Sequence, residues 1–416
     1  MNRLTTPWGD LDLARFPEQP RDTLRAWDAA DEYLLRHLAD AEDAPGADTD
    51  TDPGSATRTD TGAGAPGGDG RAGAGLSGRV VVLGDRWGAL ATALAPHRPV
   101  QITDSYLTQR ATRANLRRNG IDADAVRLRT VRDTPPERID VLLVRVPKSL
   151  SLLEDQLHRL APAVRPGTVV VGTGRVTEIH TSTLKLFERI LGPTRTSLAV
   201  KKARLIFCAP DTDRAGGGRA GTGPWPVSYT VPEGAGTATG LTVVNHAGIF
   251  CAERLDIGTR FFLRHLPERR GREHVVDLGC GNGVVGTAAA RANPEARLTF
   301  VDESFSAVAS ARATFTENVG TDRPVEFVVG DGPADVAAGS ADLVLNNPPF
   351  HTHQTTGDAT AWRMFTGSRE ALRRGGELWV VGNRHLGYHT KLRRLFGNCD
   401  VMASDPKFVV LRSVRR

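Results

Sequence analysis

Asp277-Leu278-Gly279-Cys280-Gly281-Asn282-Gly283-Val284-Val285-Gly286 follows directly on His274-Val275-Val276, and this stretch decides the fold. An apolar run that closes on an acid and three alternating glycines, then resumes with small apolar residues, is a buried strand turning into a helix. Glycines at such a turn let the backbone fold tightly and lie close to a ligand at the carboxyl edge of a sheet. Gly281 to Gly286 also spells G-x-G-x-x-G, which by itself suits a dinucleotide enzyme equally well.

The same β-α alternation extends on both sides. Downstream, Arg297 to Asp302, Val325 to Val329, Ala341 to Leu345, Glu377 to Val381 and Lys407 to Arg412 have strand character. Upstream, so do Arg79 to Gly84, Val100 to Asp104, Ile139 to Val146, Thr168 to Gly172 and Ala203 to Cys208. Helices are expected at Ala89 to Leu94 and Thr108 to Asn119, the latter ended by Gly120. Repeated alternation predicts α/β architecture with helices on both faces of a doubly wound sheet. At an offset of about 200 residues the halves match in order, as in a domain duplication. Val82-Leu83-Gly84 faces Asp277-Leu278-Gly279, Asp104 faces Asp302, and Asp140-Val141-Leu142-Leu143 faces Asp342-Leu343-Val344-Leu345. Arg165-Pro166-Gly167 faces Arg374-Gly375-Gly376, and His180-Thr181 faces His389-Thr390. Two tandem Rossmann-like sheets are therefore expected, of the class I methyltransferase kind once the motifs below are counted.

The chain has 416 residues, enough for two domains, with 40% hydrophobic and 24% charged residues. No apolar run approaches the ~20 residues needed to span a bilayer, and the start lacks a signal peptide's basic head and apolar stretch. A cytoplasmic protein is expected. Its four cysteines are scattered with no Cys-x-x-Cys pair, against disulfides and against a metal site. A net charge of +5 fits a polyanionic partner only weakly. Residues 1 to about 40 carry apolar positions that should pack on the first domain. Ala41 to Ser77 is Ala, Gly, Asp, Thr and Pro, too polar to offset its ordering entropy, and is expected to be a disordered insertion. The expected division is 1–210, a flexible linker at 211–224, and 225–416.

After the fourth strand of the second half stands Asn347-Pro348-Pro349-Phe350. A base amine or a carboxamide is a poor nucleophile because its nitrogen lone pair is delocalised. The Asn347 side-chain oxygen and the Pro348 carbonyl can each accept one N–H bond, holding the amine in line while charge develops on it. The prolines fix the backbone, and Phe350 offers a face for a splayed-out base. His351 and His353 follow as loop residues. With the glycine loop, this tetrapeptide favours S-adenosyl-L-methionine over a nicotinamide cofactor. Asp277 would face the cofactor's cationic amino-acid end beside Gly279, Gly281 and Gly283. Asp302 would accept from the ribose hydroxyls and Asp331 from the adenine amine.

In the first half the loop reads Gly84-Asp85-Arg86-Trp87-Gly88, and the tetrapeptide's equivalent is Arg145-Val146-Pro147-Lys148. Bulky Arg86 and Trp87 replace residues that must let a ligand approach, and the tetrapeptide's equivalent has neither amide nor aromatic platform, so this copy is expected to be degenerate. Its basic residues, among them Arg113, Arg117, Lys148, Lys201 and Lys202, are candidates for RNA phosphate contacts.

These residues resemble the bacterial ribosomal RNA guanine-N2 methyltransferases that carry an inactive N-terminal copy of the domain. The large-subunit (23S) type is the better match, on Asn245-His246-Ala247, Leu255 to Phe262, Ala361 to Phe365, Asn383 to Tyr388 and Lys391 to Cys399. The resemblance implies methyl transfer to the N2 amine of a 23S rRNA guanine, with the stretch around Phe250 and Asp256 helping to enclose the cofactor. Phe250-Cys251-Ala252-Glu253-Arg254 departs from the family's Phe-Ser-Arg. The 16S enzyme, glutamine-N5 or adenine-N6 methylation, and a non-catalytic RNA-binding assembly factor are the alternatives.

Overall fold

The computed structural model describes residues 2–18, 24–42, 76–211, 223–349 and 355–416. Most of the stretch read as an insertion, most of 211–224, Phe350, His351 and His353 lie outside them.

Two seven-stranded sheets share one strand order. In the second, Val325–Val329, Arg297–Asp302, His274–Leu278, Ala341–Asn346, Leu372–Asn383, Phe408–Val414 and Asp400–Ser404 lie side by side. The first five are parallel, and Phe408–Val414 runs antiparallel to both its neighbours. The first sheet repeats this arrangement with Arg127–Thr130, Val100–Thr103, Val80–Leu83, Ile139–Arg145, Val164–Arg175, Ala203–Cys208 and Thr194–Thr196. His274–Leu278 and Val80–Leu83 are buried throughout because each has a strand on either side and helices above and below. Arg127–Thr130, Thr194–Thr196 and Asp400–Ser404 were not foreseen. They are short, partly or fully exposed strands at the sheet edges, where burial no longer imposes a continuous apolar run.

Register corrects two of the expected equivalences. Leu83 pairs with Ile102 and Val144, as Leu278 pairs with Val301 and Asn346. Thr103 therefore corresponds to Asp302, and Asp104 to Glu303. Ile139 pairs with Val164 as Ala341 pairs with Leu372, so Arg165-Pro166-Gly167 corresponds to Arg373-Arg374-Gly375. Offsets counted along the chain slip wherever one copy has a longer loop. The equivalence of Arg145 with Asn347 holds.

The N-terminal segment packs on the first sheet, as expected. Its helix Ala29–Glu42 buries Leu34, Leu35 and Leu38 beside Val80 and Val82. Ahead of the second sheet, an antiparallel hairpin, Val227–Thr230 with Thr242–Asn245, docks on helix Phe305–Val319. Among the described residues no helix is long and apolar enough to cross a membrane.

The halves meet through a local twofold. Ser105 caps helix Tyr106–Arg118 and Ser304 caps helix Phe305–Val319. Ser105 Oγ donates to Glu303 (2.6 Å) and Ser304 Oγ to Asp104 (2.6 Å). The Tyr106 N–H donates to the Glu303 carbonyl and the Phe305 N–H to the Asp104 carbonyl, both at 2.9 Å. Burial pushes the Asp104 carboxyl up to about 6 and the Glu303 carboxyl up to about 7.

Candidate active site

A cavity of about 990 Å³ opens at the carboxyl edge of the second sheet, and Leu107 from the first half contributes to its wall. Asp277, Gly279, Gly281, Asp302, Asp331, Asn347, Pro348, Pro349 and Phe250 all line it. Gly283 does not. It caps helix Val284–Ala292 at φ 75°, and a Cβ there would lie 2.7 Å from Ala311. Its role is to let the helix dock, rather than to touch a ligand. Phe250 is 67% exposed at the cavity rim.

The carboxylates are set by the loop itself. Asp277 Oδ2 accepts the Gly286 N–H at 2.8 Å. Burial pushes this carboxyl up to about 7, against the opposing pull of that N–H. Asp302 accepts from the Gly281 N–H (2.9 Å) and the Ser304 N–H (3.0 Å), and burial raises it as well. Asp331 is ion-paired with Arg363 at 3.1 Å, a partner the sequence did not suggest. Asn282 Nδ2 donates to the buried Asn245 Oδ1 at 3.0 Å, which ties the glycine loop to the hairpin.

At the end of Ala341–Asn346 the backbone delivers Asn347 into the cavity. Its Nδ2 donates to Thr259 Oγ1 at 3.0 Å, while its Oδ1 is buried with no hydrogen-bond partner. Thr259 sits in the first turn of helix Ile257–Leu263, which Asp256 caps by accepting the Thr259 N–H at 2.9 Å. Pro348 is buried and Pro349 exposed. Leaving a buried acceptor unsatisfied costs about 1–3 kcal/mol, and such an atom in a cavity wall is poised for an incoming donor. Thr259 was missed because a Thr inside an apolar helix has no local signal. Only the cap, Asp256 three residues ahead, marks it.

In the first half the corresponding site is filled. Arg145, in the place of Asn347, is fully buried and ion-paired with Asp28 (2.9 Å), Glu178 (2.9 Å) and Asp31 (3.3 Å). Arg86, from the degenerate loop, adds bonds to Glu178 (2.6 Å) and Asp28 (3.5 Å). Asp85 accepts from the Ala91 N–H at 2.8 Å, as Asp277 does from Gly286. Burial alone would raise the Glu178 carboxyl, but Arg145 and the neighbouring donors hold it at about 2. Burial pushes Asp31, the deepest of the three, up to about 7. Two of these carboxylates come from the N-terminal segment, so the chain supplies its own occupant.

Arg113, Arg117, Lys148, Lys201 and Lys202 are all exposed. Lys148 follows the strand that carries Arg145. Lys201 and Lys202 form the tight turn before Ala203, both at positive φ, at the carboxyl edge of the first sheet. Lys201 also reaches Glu32 at 3.5 Å. Arg113 and Arg117 lie apart from these, on helix Tyr106–Arg118. The structure does not bring the five into one patch. Among the described residues no cluster of His, Cys, Asp and Glu could hold a metal ion.

A family model described as RLMG N-terminal domain matches residues 1–49 and 70–212, and one described as Methyltransferase small domain matches 240–412. A Streptomyces avermitilis protein named Ribosomal RNA large subunit methyltransferase G is 65% identical, over 99% of both chains. A Pseudomonas aeruginosa protein of the same name is 46% identical over 99% of this chain and 100% of its own. Among solved structures, a T. thermophilus 16S rRNA N2 methyltransferase in complex with AdoMet and guanosine superposes with TM-score 0.68. It covers 100% of this chain and 97% of its own at 18% identity, a likeness of fold. With relatives so similar from end to end, the chain belongs to the ribosomal RNA large subunit methyltransferase G family.

Proposed function

We propose that this chain methylates the exocyclic N2 amine of a guanine in 23S ribosomal RNA, using S-adenosyl-L-methionine. The carrying observation is the unpaired, buried Asn347 Oδ1 at the wall of a cavity that the glycine loop also lines. The residues present fit the cofactor. About 990 Å³ holds a nucleoside-sized ligand and a second planar group, and Gly281 has open space where a Cβ would stand. Asp302 and Asp331 would hold the nucleoside end, and Asp277 would face the amino-acid end, with Phe250 covering the rim. When bound, S-adenosyl-L-methionine supplies an electrophilic methyl group on a sulfonium sulfur.

Asn347 Oδ1 and the Pro348 carbonyl accept the two hydrogens of the target amine, which localises its lone pair and fixes its direction of approach. The amine's proton leaves to solvent afterwards, so no side chain need act as a base. A base reaches this cavity only when unstacked, and Phe350 would give it a stacking surface. The exposed cations of the first half, Arg113, Arg117, Lys148, Lys201 and Lys202, would hold RNA phosphates. With its own site filled by Arg145, that half serves as a grip. The reading carries with it a cytoplasmic place of action.

The test is to incubate the protein with labelled S-adenosyl-L-methionine and either total ribosomal RNA or a release factor, then digest the products. Label is expected in N2-methylguanosine from 23S RNA. Label confined to protein, or to another nucleoside, would sink the proposal.

Cofactor affinity should also depend on pH. The Asp277 carboxyl, pushed up to about 7, is partly protonated near neutrality, and a cationic ammonium group is better held by the carboxylate. Binding should therefore tighten as pH rises from about 6 to about 7, below the range in which the cofactor's own α-amino group loses its proton, each such shift being a linked proton release. Asp277→Asn should flatten that slope. Calorimetric titration at several pH values decides it, and the same slope in both proteins would remove Asp277 from this role.

A further inference from the structure

We infer that Thr259 is a positioning residue for methyl transfer: its hydroxyl locks the Asn347 amide in the one orientation that presents oxygen to the target amine. The inference rests on the reading that Asn347 holds that amine.

A primary amide has two faces, an oxygen that accepts and an NH2 that donates, and rotation about its terminal torsion exchanges them. Only the oxygen can receive a hydrogen from an amine. An Asn free to turn over would spend part of its time offering hydrogens to a group that also offers hydrogens. The bond network removes that freedom. Asp256 Oδ2 accepts from the Thr259 N–H at 2.9 Å and from Thr259 Oγ1 at 3.3 Å. The hydroxyl's single hydrogen is thereby committed to a carboxylate, which can only accept. What Thr259 has left to offer is a lone pair, and a lone pair is matched by Asn347 Nδ2, at 3.0 Å, rather than by Oδ1. The order Asp256, Thr259, Asn347 thus transmits one direction of hydrogen bonding to the cavity wall, where Oδ1 is left buried and unpaired.

The elements make this relay stiff. Thr259 is buried and β-branched, with restricted rotamers inside helix Ile257–Leu263. Asn347 follows a central strand whose last residue, Asn346, is anchored by its own Nδ2 on the Leu278 carbonyl at 2.8 Å. The helix that carries Thr259 lies just after the cavity-rim segment containing Phe250 and Cys251.

The test compares Thr259→Val, which keeps the shape and the backbone cap bond but loses the hydroxyl, with Thr259→Ser, which keeps the hydroxyl. Turnover and KM for RNA, and cofactor affinity, are measured on the full-length protein, with thermal unfolding as the fold control. Thr259→Val is expected to lower kcat by about 10–100-fold, the usual cost of removing an outer positioning group, with KM and cofactor affinity unchanged. Thr259→Ser is expected to restore most of the loss. Should valine disturb the helix, Thr259→Ala gives the same readout without added apolar bulk. Wild-type kcat in the variants lacking the hydroxyl, or a Ser variant as slow as Val, would overturn the relay. Asn347→Ala measured alongside separates the two readings. If it is inactive while Thr259→Val is fully active, the relay alone falls; if it is fully active, the role of Asn347 falls and takes the relay with it.

Discussion

Asn347→Ala is expected to bind S-adenosyl-L-methionine as the wild type does and to lose turnover by on the order of 10²–10³-fold, the range seen when one preorganised hydrogen-bonding group is removed from a reacting centre. The two effects separate because the Asn347 side chain is hydrogen-bonded to Thr259 rather than to the loop carboxylates. Its Nδ2 donates to Thr259 Oγ1, whereas Asp277 and Asp302 are fixed by the N–H groups of Gly286 and Gly281. The side chain also carries little of the fold. It is half-buried, and its removal leaves the Thr259 hydroxyl bonded to Asp256. Single-turnover kinetics with saturating cofactor check this outcome. Unaltered turnover would show that the amine is held by some other group.

Arg145→Met is expected to destabilise the first half by about 3–5 kcal/mol, because the change removes one side of a buried ion cluster and leaves the other in place. Asp28, Asp31 and Glu178 would then face one another with only Arg86 and the partly exposed Arg175 to offset them. The dependence on pH has a definite sign. Glu178 sits at about 2 in the folded protein against an ordinary 4.5. Its contribution is therefore complete above 4.5 and is lost as pH falls towards 2. Asp31, pushed up to about 7, works the other way. Its folded state favours the protonated acid, so that contribution is present at low pH and is lost as pH rises through 7. Without Arg145 the Glu178 advantage disappears and the Asp31 penalty deepens. The gap between variant and wild type should thus be widest at neutral pH and narrow on acidification. Denaturant titrations at several pH values measure it. A variant as stable as wild type at pH 7 would show that the cluster is not what holds the N-terminal segment.

What could be read from sequence divides along physical lines. Buried parallel strands impose continuous apolar runs, and a ligand loop imposes glycines, so His274 to Gly286 and Val80 to Gly84 were legible. Asn347-Pro348-Pro349 was legible because its chemistry requires those groups together. Edge strands such as Arg127–Thr130 impose no such pattern. Equivalence by counting erred by one at Asp104, since the pairing of strands rather than chain distance defines it. Tertiary neighbours were illegible. Nothing near Asp28 says that it will meet Arg145, 117 residues away, and nothing near Thr259 says that it will meet Asn347. The five candidate RNA-contacting cations were chosen by charge alone, and the fold distributes them over two regions.

The reciprocal contact at Ser105 and Ser304 has a consequence for how such a chain could arise. Each serine begins a helix, and each reaches the acid that precedes its counterpart: Ser105 to Glu303, Ser304 to Asp104. A contact in which i meets j while j meets i is the signature of an isologous interface between identical subunits. The two halves therefore dock as the subunits of a homodimer would, although a single polypeptide now joins them. Fusion relaxes the requirement that both protomers keep a working pocket, while the dimer's seam still has to be preserved. The pocket of the second half borrows Leu107 from across that seam. The first half, its own pocket filled by Arg145, thus stands to the second as a permanently tethered subunit.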